Sequence, residues 1–250
     1  MTATGTAGTF GLLGGQLTLL RPPAGHPITE DALWLAAALP RESTTYLEAG
    51  TGTGAAALAL LSQTPESTLT GVEIDPALAT QATANAALNQ LAERFNVIQG
   101  DIHAHPLPTH FKARHSFANP PFHLRTQGFQ TKTARRQQAH GLTEPADLIR
   151  WLDFLWQHTQ ATGSLTLLLH TDLLATALAH AASTGNIRLC WLDSGRTLPT
   201  RVILQIQPTV APPELTAQTL NTADAAIRQS VLRQGAPLWR FTRPSPRTTM

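Results

Sequence analysis

Seven residues, Glu48-Ala49-Gly50-Thr51-Gly52-Thr53-Gly54, constrain the fold of this chain more than any others. They end a strand-like run at residues 44–48 and open a helix-like one at 53–62. Glycine at every second position lets the backbone pass close to a ligand with no Cβ in the way. In an open α/β sheet, such a strand-to-helix turn lies at the carboxyl edge, where ligands bind. The same alternation continues along the chain. Residues 68–74, 96–100, 115–118 and 164–170 read as strands, and 76–91, 144–159 and 173–183 as helices. Residues 187–192 and 201–207 close the pattern with only a short loop between them, so they are expected to pair antiparallel. The expectation is α/β: a doubly wound, seven-stranded, mostly parallel sheet with one antiparallel strand and helices on both faces.

The regions outside this core are expected to be appendages. Residues 1–40 read as an N-terminal extension packing on the core, with a hairpin turned at Gly14-Gly15 and a helix through Leu39 capped by Thr29 or Asp31. Residues 41–210 form the ligand-binding domain. Residues 211–250 read as a C-terminal extension, partly loose, with one helix at 222–233. No apolar run reaches the roughly 18–20 residues of a membrane span, and no charge precedes Arg21, so no basic leader is expected. A lone cysteine, Cys190, excludes an intramolecular disulfide and fits a reducing cytoplasm. The formal charge of +2 permits a nucleic-acid partner without requiring one.

Three acids follow the strand ends in order. Glu48 precedes the glycines, where it would repel a pyrophosphate and suit the ammonium end of S-adenosylmethionine; E-x-G-x-G-x-G also differs from the G-x-G-x-x-G of dinucleotide sites. Glu73, in Gly71-Val72-Glu73-Ile74-Asp75, lies 23 residues after Gly50, the spacing at which an acid chelates ribose hydroxyls. Asp101 can accept a hydrogen bond from an adenine amino group, with Ile102 packing on the ring. Each piece alone is as well read as an ordinary turn or cap; three in order are not.

Asn119-Pro120-Pro121-Phe122 stands at the end of the fourth strand of the expected sheet. Asn and Pro stop a strand. The Asn119 side-chain oxygen and the Pro120 carbonyl can converge on a planar amine and accept its two hydrogens. Phe122 can stack on the group that bears the amine. The amine could belong to a base or to a glutamine amide.

Taken in order, E-x-G-x-G-x-G, G-V-E-I-D, G-D-I and N-P-P-F resemble class I S-adenosylmethionine-dependent methyltransferases of the NPPY/F type. Leu13-Gly14-Gly15-Gln16, Arg21-Pro22-Pro23, residues 29–38, Leu148-Ile149-Arg150-Trp151-Leu152 and Pro199-Thr200-Arg201-Val202 are similar to bacterial tRNA(Val) (adenine-N6)-methyltransferases. The resemblance implies a Rossmann-like class I methyltransferase fold, S-adenosylmethionine as cofactor, and methylation of the exocyclic amine of adenine in the anticodon region of tRNA. It implies catalytic roles for Asn119, Pro120 and Phe122. Cofactor binding falls to Glu48, Gly50, Gly52, Gly54, Glu73, Asp101, Ile102 and Asn119, and substrate contacts to Pro121, Phe122, His123, Arg125, Arg135 and Arg136. Alternatives on the same site are an rRNA base or a release-factor glutamine; a non-catalytic RNA-binding protein of the same fold is the reading from another class. A monomer suffices. Three places depart from the family pattern: Ala113-Arg114-His115 stands for Phe-Asp, Gln205-Ile206-Gln207-Pro208-Thr209 is neutral where relatives often carry basic residues and glycines, and Phe122 replaces the commoner Tyr.

Five histidines, His103, His105, His110, His115 and His123, crowd one region, but no acids or cysteines at ligand spacing accompany them, so no metal is expected. Trp151, Leu152, Leu155 and Trp156 are read as core.

Overall fold

The structure is a computed structural model that describes residues 8–21, 28–121, 145–181, 185–195, 198–209 and 214–241. In chain order its elements begin with a hairpin, β1 (Thr9–Leu12) and β2 (Leu17–Leu20), and α1 (Asp31–Ala38). Then come β3 (Thr45–Ala49), α2 (Ala55–Leu61), β4 (Thr68–Glu73), α3 (Pro76–Leu88), β5 (Phe95–Gln99) and β6 (Ala113–Ala118). The second half has α4 (Pro145–Gln157), β7 (Thr159–His170), α5 (Leu174–Ala181), β8 (Gly185–Asp193), β9 (Arg201–Pro208), β10 (Leu215–Asn221) and α6 (Ala225–Arg228). A π turn at Gln229–Arg233 and a 3-10 turn at Leu238–Phe241 follow.

The main sheet runs β10-β8-β9-β7-β6-β3-β4-β5. Only β9 is antiparallel to its neighbours, as the short β8–β9 connection requires. The sheet has eight strands, one more than the seven expected. The extra strand is β10, which joins β8 in parallel from the region expected to be a partly loose extension. Its sequence, Leu-Thr-Ala-Gln-Thr-Leu-Asn, buries only Leu220, so it carries almost no period-2 signal.

Central strands are apolar on both faces because helices cover both. On β7, Leu165, Leu167 and Leu169 pack with α4 and α5, while Leu168 packs with α1 and α2 on the other face. On β9, Val202, Leu204 and Ile206 join the first group and Ile203 the second. Gln205 shares the Ile203 face but is buried, donating to the Ala38 carbonyl at 3.2 Å and to Thr166 Oγ1 at 3.2 Å. It thus satisfies an end carbonyl of α1, which accounts for a neutral residue there. Helix α3 starts after Asp75, whose carboxylate accepts from the Ala77 and Leu78 N–H groups at 2.8 and 3.3 Å, with Pro76 in the first turn.

The hairpin docks on α3 through side-chain amides rather than through a strand. Asn89 accepts from Thr18 N–H at 2.9 Å and donates to the Thr18 carbonyl at 2.7 Å. Asn85 accepts from Leu20 N–H at 2.9 Å, and Gln81 donates to the Leu20 carbonyl at 2.9 Å. Residues 81, 85 and 89 share one face of a helix, so three amides meet the polar groups that an edge strand would leave open.

Candidate active site

The glycine loop leaves β3 at the middle of the sheet. Gly50, Gly52 and Gly54 have φ of 68°, 57° and 81°, a left-handed region costly for residues with a Cβ. Gly50 and Thr51 N–H both donate to the Val72 carbonyl of the adjacent strand, at 2.8 and 3.0 Å. A Cβ on Gly50 would stand 2.7 Å from the Trp151 ring of α4, whereas one on Gly52 would meet nothing within 4 Å. The loop is therefore packed from behind at Gly50 and open at Gly52, where a ligand can lie against bare backbone. Trp151, expected to be plain core, is half-buried with its ring over Gly50; Leu152 and Leu155 are fully buried.

Glu48 is 3% exposed. Burial pushes its carboxyl up to about 8, and the nearby Glu73 charge adds to the rise. Thr51 Oγ1 donates to it, and so does the Ala57 N–H of α2. An acid held this way is neutral near pH 7 and ionises when a cationic group comes to lie beside it.

Glu73 ends β4. Its Oε2 accepts from Gly52 N–H at 2.7 Å and its Oε1 from Asp75 N–H at 2.9 Å. Burial raises its pKa, and these backbone donors oppose the rise. The carboxyl group is fixed in place, and each oxygen keeps a lone pair for a further donor. Asp101 caps the 3-10 turn Ile102–Ala104 by accepting from His103 N–H at 2.9 Å through one oxygen. Ile102, expected to face a ring, is 7% exposed and packs in the core with Val72 and Leu107. The apolar side chain that stands open at this rim is Ile74, 46% exposed, which sequence reasoning passed over. Its position, directly after the Glu73 strand end, was the available signal.

Asn119 follows β6. Register pairs Ala49 with Ala118 and Ala49 with Val72, so Gly50 and Asn119 leave neighbouring strands side by side, about 5 Å apart at the strand spacing. Asn119 Oδ1 is buried and has no hydrogen-bond partner among the described residues. A buried carboxamide oxygen without a donor costs about 1–3 kcal/mol, which marks it as an acceptor open to a further donor. Pro120 is buried and Pro121 half-buried. Phe122, His123, Arg125, Arg135 and Arg136 lie outside the described residues.

His115 is remote from this edge, buried lower on β6 with Nδ1 2.7 Å from Ser164 Oγ. Among the described residues no cluster of three or more His, Cys, Asp or Glu could hold a metal ion, and no helix is long and apolar enough to cross a membrane.

Residues 47–139 match the sequence model of a methyltransferase domain. The tRNA1(Val) (adenine(37)-N6)-methyltransferase of Klebsiella pneumoniae is 29% identical over 167 residues, 65% of this chain and 67% of that protein. A release factor glutamine methyltransferase of Moorella thermoacetica is 41% identical over 83 residues, 33% of this chain and 29% of that protein. Among solved structures, a predicted O-methyltransferase from Agrobacterium tumefaciens superposes with a TM-score of 0.60 at 16% identity, covering 78% of this chain and 90% of that one. The hMettl16 catalytic domain bound to an RNA hairpin gives 0.56 at 16% identity, covering 79% and 78%. The glycine loop, the acids at successive strand ends and these likenesses agree: the chain is an S-adenosylmethionine-dependent methyltransferase of the class I fold.

Proposed function

We propose that this enzyme methylates the exocyclic amine of an adenine in RNA, with the anticodon region of tRNA as its substrate. The observation that carries this reading is the buried Asn119 Oδ1 beside the glycine loop, which has no partner among the described residues. An aromatic amine is a weak nucleophile because its lone pair is spread into the ring. Asn119 Oδ1 and the Pro120 carbonyl accept its two hydrogens, which favours a pyramidal nitrogen with its lone pair aimed toward the loop at Gly50. S-adenosylmethionine supplies a methyl group on a sulfonium, already a good leaving group. The chain's task is then mainly alignment, and the amine proton leaves to solvent after the nitrogen has become cationic.

Glu48 answers the cofactor's ammonium, Glu73 its ribose hydroxyls and Asp101 its adenine amino group. Ile74 takes the ring contact first assigned to Ile102. Phe122 stacks on the target base, worth about 1–3 kcal/mol, with Pro121 and His123 at its side. Arg125, Arg135 and Arg136 meet phosphates. A base in an anticodon loop is partly unstacked already, so little flipping energy is needed. The naming of the Klebsiella relative supports tRNA. The Moorella relative favours a second reading, a glutamine amide in a release factor, because Asn119 chemistry serves both amines.

Transfer of labelled methyl to separate pools of unmodified tRNA, rRNA and release factor, followed by nucleoside and peptide mass analysis, tests the choice. N6-methyladenosine in tRNA is expected. Label confined to protein would replace this reading with the glutamine one.

A further inference from the structure

Asn85 belongs to neither the glycine loop nor the Asn119 motif, yet it is 0% exposed and its side chain joins two distant parts of the chain. Its Oδ1 accepts from Leu20 N–H of the hairpin at 2.9 Å. Its Nδ2 donates to the Thr53 carbonyl of the glycine loop at 2.9 Å. We propose that Asn85 is a positioning residue that couples the N-terminal hairpin to the cofactor loop, so that docking of the hairpin on α3 sets the affinity for S-adenosylmethionine. The inference rests on the loop being the cofactor site.

The physical case has three parts. Thr53 lies between Gly52, whose N–H is fixed by Glu73, and Gly54, whose N–H is fixed by the Thr51 carbonyl at 2.9 Å. The Thr53 carbonyl is the point where that loop is held from the α3 side. A carboxamide offers its acceptor and donor in one rigid plane, so a shift of the hairpin that draws on Oδ1 turns Nδ2 away from Thr53. The bond to Thr53 is buried, so no water replaces it, and the Thr53 carbonyl is left unsatisfied when the amide moves. Asn89, one turn further along α3, supplies a built-in comparison. It makes two bonds to the hairpin at Thr18 and one to the Asn85 carbonyl at 2.7 Å, and none to the loop.

Calorimetric titration of the full chain with S-adenosylhomocysteine should show Asn85→Ala weakened about tenfold, and Asn89→Ala, which loosens the hairpin without touching the loop, weakened by a smaller factor. Wild-type affinity in either variant would overturn the coupling. Reciprocity supplies a test that needs no variant: if the hairpin sets cofactor affinity, the cofactor must stabilise the hairpin. Hydrogen exchange at Leu20 N–H of the wild-type protein should slow when S-adenosylhomocysteine is added. Unchanged exchange with the ligand bound rejects the coupling and leaves the site intact. A wild-type protein that does not bind the ligand at all rejects the site itself, and the coupling with it.

Discussion

Replacing Glu48 by glutamine should uncouple cofactor binding from pH. Before the cofactor binds, burial holds this carboxyl up at about 8, against an ordinary value of 4.5. A cationic group beside it favours the ionised form, so binding releases a proton at any pH between the bound and free values. The affinity of the wild-type enzyme should then rise about tenfold per pH unit from pH 5.5 to 7.5, each unit being about 1.4 kcal/mol. That window stays below about pH 8, where the ligand's own α-amino group begins to lose its charge. Calorimetry in buffers of different ionisation enthalpy counts the proton directly. Glu48→Gln should give a flat profile and no proton release. The same group also governs stability without ligand. A carboxyl whose folded value lies above its unfolded one stabilises the fold fully only below the unfolded value, and that stabilisation is lost as pH rises toward the folded value. The span from 4.5 to about 8 corresponds to about 5 kcal/mol. The wild-type protein should therefore lose stability from pH 4.5 to 8 by more than Glu48→Gln does. A wild-type affinity that is constant from pH 5.5 to 7.5 would refute the argument, because it would mean Glu48 keeps one charge state throughout.

Asn119→Ala should cut methyl transfer by about a hundredfold or more with cofactor affinity retained and no loss in Tm, because the oxygen removed has no partner among the described residues; near-normal turnover would rule out the proposed role. Gly50→Ala should cost more stability than Gly52→Ala. Both impose a left-handed φ on alanine, about 1–3 kcal/mol, but only the first drives a Cβ into Trp151; denaturant titration decides, and adding Trp151→Ala should recover part of the difference. Arg135→Ala with Arg136→Ala should weaken RNA binding and flatten its dependence on salt; an unchanged slope in filter binding would place the RNA path elsewhere.

Glycine and acid positions made the loop and strand ends at the carboxyl edge of the sheet legible, because those residue types answer local backbone needs. Gly50, Gly52 and Gly54 are all left-handed, and Glu48 and Glu73 end adjacent strands as their spacing implied. What stayed hidden depends on tertiary contacts. Ile74 and Ile102 both follow an acid at a strand end, and nothing local separates the one left open from the one buried under α4. Trp151 reads as one more apolar residue on a helix face until its ring is seen over Gly50. The amides of Gln81, Asn85 and Asn89 have helical spacing but look like any polar surface, since their partners lie 61 to 71 residues away. Strand β10 escaped notice because an edge strand with one buried side chain has hardly any pattern to read.

Helix α1 is made early and completed late. Its end carbonyl at Ala38 receives Gln205 and Trp239, and its first turn meets Arg201 through Asp31 and Arg228 through Glu30. These partners are 167 to 201 residues downstream. At a synthesis rate of about 5–20 residues per second, they emerge on the order of ten seconds or more after the helix. Eight residues do not hold a helix on their own, so through that interval Leu33, Trp34 and Leu35 have early cover from α2 but none from β7 or the C-terminal turns. Translation speed and early chaperone contact therefore bear on the yield of this enzyme through α1 more than through the cofactor edge, whose strands β3 and β4 follow one another closely in the chain.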